Sequence, residues 1–198
     1  ERQMNLLKRL FGQGLLIAKI SGLSVEGCCF IPYKDMIVVS MPGGEIRLID
    51  MTQGAVIKTL EGKVPEPGRI AVTMDGSRLA VIDSARGGGG GGKKVEVWDI
   101  DSGACIFETE LSNKSTSIAL SPDSTILAVG RRYDTIIDLY DISSGQLIRS
   151  LNGHGVTLVQ SPLFRGSGTI QDLAFWDIGP FLVSGADDGQ AILWNIET

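Results

Sequence analysis

The segment "IDLYDISSGQLIRSLNG", residues 137–153, belongs to a set of four related segments that decide the fold of this chain. The other three are "IRLIDMTQGAVIKTLEG" (46–62), "VEVWDIDSGACIFETEL" (95–111) and the C-terminal "AILWNIET" (191–198). In each of the long segments an apolar or aromatic residue precedes an aspartate, and a glycine follows four residues after it. The aspartates and the corresponding asparagine lie 49, 42 and 54 residues apart: Asp50, Asp99, Asp141 and Asn195. A repeat of this length predicts one supersecondary unit used several times.

Each unit has the sequence pattern of four short strands. An apolar strand such as "SIALSP" is followed by turn residues, by a second strand such as "RLAVID", by a tip rich in Gly and Asp, and by the strand that leads to the aspartate. The inner strands are apolar at nearly every position, which indicates a sheet covered on both faces. The last strand carries charge, for example Lys58 and Arg149. We therefore predict an all-β chain, a β-propeller of about four blades, each a four-stranded antiparallel sheet.

The C-terminal unit carries the most specific pattern. It contains "NGH" (152–154) and then "FLVSGADDGQAILWN" (181–195). A Gly-His before the first strand, a serine in the second strand, an aspartate in the tight turn and a tryptophan in the third strand resemble the signature of the WD-repeat β-propeller family. The resemblance implies a buried, hydrogen-bonded structural tetrad of His154, Ser184, Asp188 and Trp194. Such a network would satisfy both imidazole nitrogens and the indole N–H.

The other units depart from this signature. In a gap-free alignment the third unit has Gly130 in place of the serine and Tyr140 in place of the tryptophan. The second unit keeps Trp98, the first has Ile49 at that position, and none of the three has a histidine. We expect these blades to depend on apolar packing alone.

The domain organisation follows from the repeat. Residues 1–13 are predicted to be a leader or linker that can form a short helix, and residues 14–198 to be propeller blades. The predicted elements are an outer strand at 15–20 and blades at about 23–62, 66–111, 115–153 and 167–198. The early outer strand and a three-stranded last blade resemble the "velcro" closure of a ring. The family's larger rings and the non-Met first residue favour a fragment of a larger propeller.

Composition limits the classes of function. The net charge of −5 lacks the basic field that nucleic acid or an anionic membrane would need. No apolar run approaches the ~20 residues of a membrane span. The three cysteines, Cys28, Cys29 and Cys105, form no CxxC motif and indicate reduced thiols and a cytoplasmic protein. We expect no cofactor and no metal.

Motifs for catalysis are weak. No paired-carboxylate motif, metal-ligand cluster or Gly-x-Ser-x-Gly sequence occurs, so we do not expect an enzyme. The run of glycines at 87–92, followed by Lys93 and Lys94, matches part of a phosphate-binding loop. A phosphate loop must open a helix, whereas here a strand follows. The stretch predicts a flexible hairpin tip at residues 86–93, of natural or engineered origin.

The function implied by the resemblance is a non-catalytic scaffold that binds a protein or peptide through its loops. The candidate contact residues are in the turn "GRRYD", in the insertion at 155–168 and in the last tip: Arg131, Arg132, Tyr133, Phe164, Arg165 and Asp187. Arginine and tyrosine are enriched in interaction hot spots. Two alternatives are a sensor or autoinhibitory segment of a signal-transducing NTPase and a propeller hydrolase. Neighbouring blades or domains of a longer chain are further expected partners.

Overall fold

A computed structural model describes residues 25–83, 92–155 and 168–197. These residues form fourteen strands and no helix, so the described part contains no helix that could cross a membrane. Sheet I contains β1 (Gly27–Ile31), β2 (Met36–Ser40), β3 (Glu45–Asp50) and β4 (Val56–Glu61). Sheet II contains β5 (Pro67–Val72), β6 (Arg78–Asp83), β7 (Gly92–Asp99) and the first part of β8 (Cys105–Leu120). Sheet III contains the second part of β8, β9 (Ile126–Arg131), β10 (Ile136–Asp141) and β11 (Leu147–Asn152), and sheet IV contains β12 (Ile170–Phe175), β13 (Phe181–Ala186) and β14 (Ala191–Asn195).

All strand pairs are antiparallel and follow chain order within each sheet. Strand β8 is long enough to serve two sheets, because residues 105–110 pair with β7 and residues 115–120 pair with β9. Hydrogen bonds therefore join sheets II and III into one seven-stranded arrangement. The prediction of an all-β propeller of about four blades is confirmed, with three strands of sheet IV in the described residues.

Two predicted segments lie wholly or partly outside the described residues. These are the leader with its outer strand at 15–20 and most of the glycine tip. The tip prediction is wrong at its end, because β7 already begins at Gly92 and includes Lys93. Gly92 pairs with Ser115 of β8, and the register is irregular between Gly92 and Lys94.

Among the described residues the core consists of three apolar layers, each between two neighbouring sheets. Strand β6 shows why its sequence is apolar throughout. Leu79 and Val81 pack in the layer toward sheet I, whereas Ala80 and Ile82 pack in the layer toward sheet III. All four are at most 1% exposed. Fully burying a Leu, Ile or Val side chain stabilises a fold by roughly 1.5–3 kcal/mol, so these layers hold the sheets together.

The repeated aspartate and glycine form a capped turn between the third and fourth strands of a sheet. The Asp141 carboxylate accepts hydrogen bonds from the Ser143 hydroxyl (2.6 Å) and the Ser144 backbone N–H (2.7 Å). The Gly145 N–H donates to the Asp141 carbonyl oxygen at 2.9 Å, and Gly145 has φ 73°. A positive φ suits glycine because it has no Cβ. The same turn occurs at Asp50 and Asp99, which explains the four-residue spacing.

This turn predicts an acidic titration. Hydrogen bonds from Ser143, and then from Ser144, lower the pKa of Asp141 to about 2. A folded pKa below the unfolded value of about 3.9 gives stability that is present above pH ~4 and lost as the pH falls toward 2. We expect the S143A/S144A variant to move the Asp141 midpoint upward, measured by carboxyl-carbon NMR. Thr52→Ala, which changes the equivalent turn, should leave Asp141 unchanged; a wild-type midpoint near 3.9 would contradict the capping.

Candidate functional site

Four polar side chains of the last sheet meet in one hydrogen-bonded chain. His154 follows β11, Ser184 lies in β13, Asp188 follows β13, and Trp194 lies in β14. The Trp194 indole N–H donates to the Ser184 hydroxyl oxygen at 2.8 Å. The His154 Nε2 atom lies 2.7 Å from that oxygen, and His154 Nδ1 lies 3.0 Å from the nearer Asp188 carboxylate oxygen. The structure thus brings together all four residues that the resemblance singled out.

The order of donors follows from the ends of this chain. Trp194 can only donate and the Asp188 carboxylate can only accept. The Ser184 O–H therefore donates to His154 Nε2, and His154 Nδ1–H donates to Asp188. The backbone N–H groups of Gly155 and Gln190 also donate to Asp188, at 2.8 and 3.0 Å. Burial raises the pKa of Asp188, but these N–H donors and the His154 ring together outweigh burial and keep it below its usual value.

Glycine at position 153 lets the tryptophan close the network. A Cβ on Gly153 would lie 2.6 Å from the Trp194 Cη2 atom, closer than real contacts allow. Trp194 also packs against the apolar layer between sheets III and IV, which contains Leu182. The "NGH" sequence therefore supplies both the space for the indole and the imidazole that the network needs.

The connectivity matches that of a Ser-His-Asp catalytic triad, but its burial does not. Ser184 is 1% exposed and the His154 side chain is 0% exposed. A triad serine must reach a substrate carbonyl, with its oxygen free to attack. Here the Ser184 oxygen is enclosed and already accepts the Trp194 N–H. The arrangement is suited to satisfying polar groups between sheets, and within the described residues no group of three His, Cys, Asp or Glu side chains is placed to hold a metal ion.

The loop residues divide into two groups. Arg131 is not the exposed side chain that the turn sequence predicted, because its guanidinium forms two hydrogen bonds with Asp138, at 2.6 and 2.9 Å, and is 16% exposed. Arg132 instead lies over the ring of Tyr133, 4.8 Å from the centroid, and Tyr133 is 52% exposed. Asp187 is exposed and accepts a hydrogen bond from the Gln171 side chain.

Phe164 and Arg165, the remaining candidates, lie outside the described residues, in the insertion between sheets III and IV.

A family model described as "WD domain, G-beta repeat" matches residues 145–195, the span that holds the whole tetrad. Over these residues the chain is similar to WD-repeat proteins. Over 51 residues it is 45% identical to THO complex subunit 3 of Arabidopsis thaliana, covering 25% of this chain and 16% of that protein. Over 117 residues it is 26% identical to eukaryotic translation initiation factor 3 subunit I of Scheffersomyces stipitis, covering 56% of this chain and 32% of that protein. The chain therefore matches less than a third of the length of each of these relatives.

Among solved structures, the computationally designed Ika4 protein superposes with a TM-score of 0.66 at 24% identity. The match covers 93% of this chain and 99% of Ika4. At this identity the likeness concerns the fold alone, and it supports the propeller arrangement of the four sheets.

The register of sheet III corrects the gap-free alignment. Trp194 pairs with Leu182 across sheet IV, and Tyr140 pairs with Leu127 across sheet III. Counting two residues along the second strand, the counterpart of Ser184 is Val129 and not Gly130. The separation in sequence between Val129 and Ser184 is one residue larger than the separation between Tyr140 and Trp194. An alignment without gaps cannot match both pairs.

Gly130 faces the opposite side, toward sheet IV. A Cβ there would lie 2.2 Å from the Ser117 Oγ atom and 2.7 Å from the nearest Ile170 side-chain atom. Glycine at this position therefore permits sheets III and IV to approach, which is a different role from replacing a serine.

Apolar packing alone does not describe sheets II and III, because each buries a carboxylate two residues before the tryptophan position. Asp138 in β10 is 3% exposed and binds the Arg131 guanidinium and the Ser150 hydroxyl. Glu96 in β7 is 1% exposed. The corresponding residue of sheet IV is Ile192, as the pairing with Ser184 shows. A lone acidic letter within an apolar strand, as in "VEVWD" and "IDLYD", was the sequence signal for both.

Glu96 has a partner at the position of the missing histidine. Lys63 follows Gly62 as His154 follows Gly153, and its backbone N–H donates to Glu96 Oε1 at 2.7 Å. Burial raises the pKa of Glu96, against the opposing effect of the Lys63 N–H. The second carboxylate oxygen has no hydrogen bond among the described residues. Glu96 thus lies between sheets I and II, in the place that is equivalent to the position of the tetrad between sheets III and IV.

The tetrad predicts a measurable loss of stability on truncation. His154→Ala leaves Ser184 and Asp188 without their ring partner, and we expect the free energy of unfolding to fall by about 1–3 kcal/mol. Urea denaturation measures this change. The control is Gln190→Ala, which removes an exposed side chain but keeps the backbone N–H that binds Asp188. An unchanged unfolding curve for His154→Ala would contradict the structural role.

Proposed function

We propose that this chain is a non-catalytic scaffold that binds a protein or peptide through one surface, the tip face. The tip face comprises the loop after β9, with Arg132 and Tyr133, and the loop after β13, with Asp187. The observation that carries the proposal is the exposed Tyr133 ring with the half-buried Arg132 guanidinium over it, beside an Arg131 that is held by its ion pair with Asp138. Exposed arginine and tyrosine side chains are typical anchors of protein interfaces.

The two loops of the tip face are held to the same stretch of backbone. The Thr135 N–H donates to the Gly168 carbonyl oxygen at 3.2 Å, and the Asp187 N–H donates to the Thr169 carbonyl oxygen at 3.1 Å. Arg132 and Asp187 therefore belong to one continuous surface that spans sheets III and IV.

The turn that carries Tyr133 is ordered by internal contacts. Tyr133 has φ 77° and Thr135 has φ 54°, a left-handed backbone that costs of order 1–3 kcal/mol for residues other than glycine. Arg131 offsets that strain by binding Asp134 and Asp138, at 3.2 and 2.6 Å. A preorganised turn loses less conformational entropy on binding, so it favours recognition.

The side chains of Arg132 and Tyr133 indicate which chemical group of a partner would bind to them. The Arg132 guanidinium can donate two parallel hydrogen bonds to a carboxylate, and the exposed Tyr133 ring provides apolar area. An acidic side chain with an apolar neighbour, on a protein or peptide, fits both.

The names of the relatives support a partner of this kind. THO complex subunit 3 and eukaryotic translation initiation factor 3 subunit I are, by those names, subunits of protein assemblies. The net charge of −5 supports a protein partner over nucleic acid or an anionic membrane, and a cytoplasmic location is part of the same proposal.

The test is a quantitative pull-down with R132A/Y133A in place of wild type. Losing two anchors should cost about 2 kcal/mol or more, so we expect at least a tenfold drop in the capture of specific partners, read by mass spectrometry. Arg131→Ala is unsuitable because it would leave Asp138 buried without its cation.

The control is Tyr33→Ala, which removes a tyrosine that is 86% exposed in the turn between β1 and β2, at the opposite end of the strands. Capture that is equal for wild type and R132A/Y133A would contradict the tip-face proposal.

A further inference from the structure

A cleft of about 360 Å³ lies between sheets III and IV at the turn end of the blades, opposite the tip face. The turn end comprises the turns between the first and second strands of each sheet, at 32–35, 73–77, 121–125 and 176–180. The cleft's apolar wall includes Ile126, Phe175 and Ile196, and its acidic groups include Asp177 and Glu197. Among the described residues that line the cleft there is no lysine or arginine.

The corresponding place between sheets I and II is closed by a lysine. Lys34 Nζ lies 2.9 Å from an Asp101 carboxylate oxygen, so a side chain of sheet I crosses to sheet II. Lys58 Nζ adds hydrogen bonds to the carbonyl oxygens of Ile100 (3.2 Å) and Asp101 (2.6 Å). One ammonium group thus pairs with the Asp101 carboxylate, and the other binds backbone carbonyl oxygens just after β7.

Sheet III has the equivalent turn between its first and second strands but lacks this lysine. The Lys34 N–H donates to the Ile31 carbonyl oxygen, and the Ser124 N–H donates to the Ser121 carbonyl oxygen, so Ser124 holds the position of Lys34. Asp101 is the third residue after Trp98, and Glu197 is the third residue after Trp194. The acidic partner of the ion pair is therefore kept in sheet IV, while its cation is replaced by a hydroxyl.

The neighbouring turns also pack less closely. A Cβ on Gly76 in sheet II would lie 2.9 Å from the Pro32 carbonyl oxygen of sheet I. Its counterpart Gly179 in sheet IV meets only the Phe181 ring of its own sheet, at 3.4 Å. The space that sheets I and II fill is open between sheets III and IV.

The carboxylates of the cleft are available to a cation. Within residues 25–83, 92–155 and 168–197, neither Asp177 nor Glu197 forms an ion pair, and both are exposed. A lysine or arginine can lay its methylene chain along an apolar wall and keep its charged head in water. Phe175 and Ile126 supply such a wall beside the carboxylates.

We propose that this cleft is a second interaction site, which binds a lysine or arginine side chain from a protein partner whose neighbouring residue is aliphatic. The support for a basic side chain comes from the chain's own Lys34, which occupies the equivalent place between sheets I and II and pairs there with Asp101. The site goes beyond the tip-face proposal, since it lies at the other end of the strands and takes a cation instead of a carboxylate.

The experiment selects binding peptides from a displayed random hexapeptide library. The protein is used as the full chain, with counter-selection on the D177N/E197Q variant. We expect most enriched peptides to carry lysine or arginine beside an aliphatic residue. Selected peptides, labelled with fluorescein and titrated by anisotropy, should bind D177N/E197Q at least about tenfold more weakly than wild type, and binding should weaken as salt is added.

Two controls isolate the cleft. D35N/E66Q makes the same charge change at two exposed positions outside the cleft lining, and R132A/Y133A changes the tip face; both should keep wild-type affinity for the selected peptides. The proposal is overturned if no peptide is enriched, if the enriched peptides lack basic residues, or if D177N/E197Q binds as wild type does. It is also overturned if the protein self-associates in sedimentation and D177N/E197Q does not, since the occupant would then be a second copy.

Discussion

Strands that lie between two neighbouring sheets of this chain have no face left for water. Strand β6 shows the constraint, because Leu79 and Val81 pack toward sheet I while Ala80 and Ile82 pack toward sheet III. An unpaired polar group in such a layer loses its hydration without compensation. A polar side chain that enters the layers therefore needs a partner, although one carboxylate oxygen of Glu96 has none among the described residues. The arrangement of these partners distinguishes one sheet of this protein from another.

Sheets II, III and IV meet this constraint with different polar groups, which lie near the tryptophan position of the third strand in each sheet. Sheet IV uses the hydrogen-bonded chain from Trp194 through Ser184 and His154 to the Asp188 carboxylate. Sheet III uses Asp138 with the Arg131 guanidinium, and sheet II uses Glu96 with the Lys63 backbone N–H. Low dielectric strengthens such contacts when they are complete and penalises them when they are not. The divergence of the repeats is thus a set of alternative pairings, and the Arg131 pairing also orders the turn that presents Tyr133.

The fold could be predicted from the sequence because its signals are local. The aspartate and the glycine four residues later specify a capped turn, and the uninterrupted apolar strands indicate burial on both faces. The four tetrad positions could be assigned from the family resemblance alone. The one-residue offset of β9 could not, because register depends on how β10 pairs across the sheet. The partner of Arg131 and the open cleft beside Ser124 depend on contacts between distant segments, which spacing along the chain does not specify.

The network of the last sheet is the central claim, and its proton order gives the most direct test. His154 is the single histidine of the chain, so its ring nitrogens can be observed without ambiguity in a long-range proton–nitrogen NMR spectrum at neutral pH. The account predicts a single tautomer with the proton on Nδ1, toward Asp188, and an unprotonated Nε2 that accepts from Ser184. A proton on Nε2, or two tautomers in rapid exchange, would contradict it.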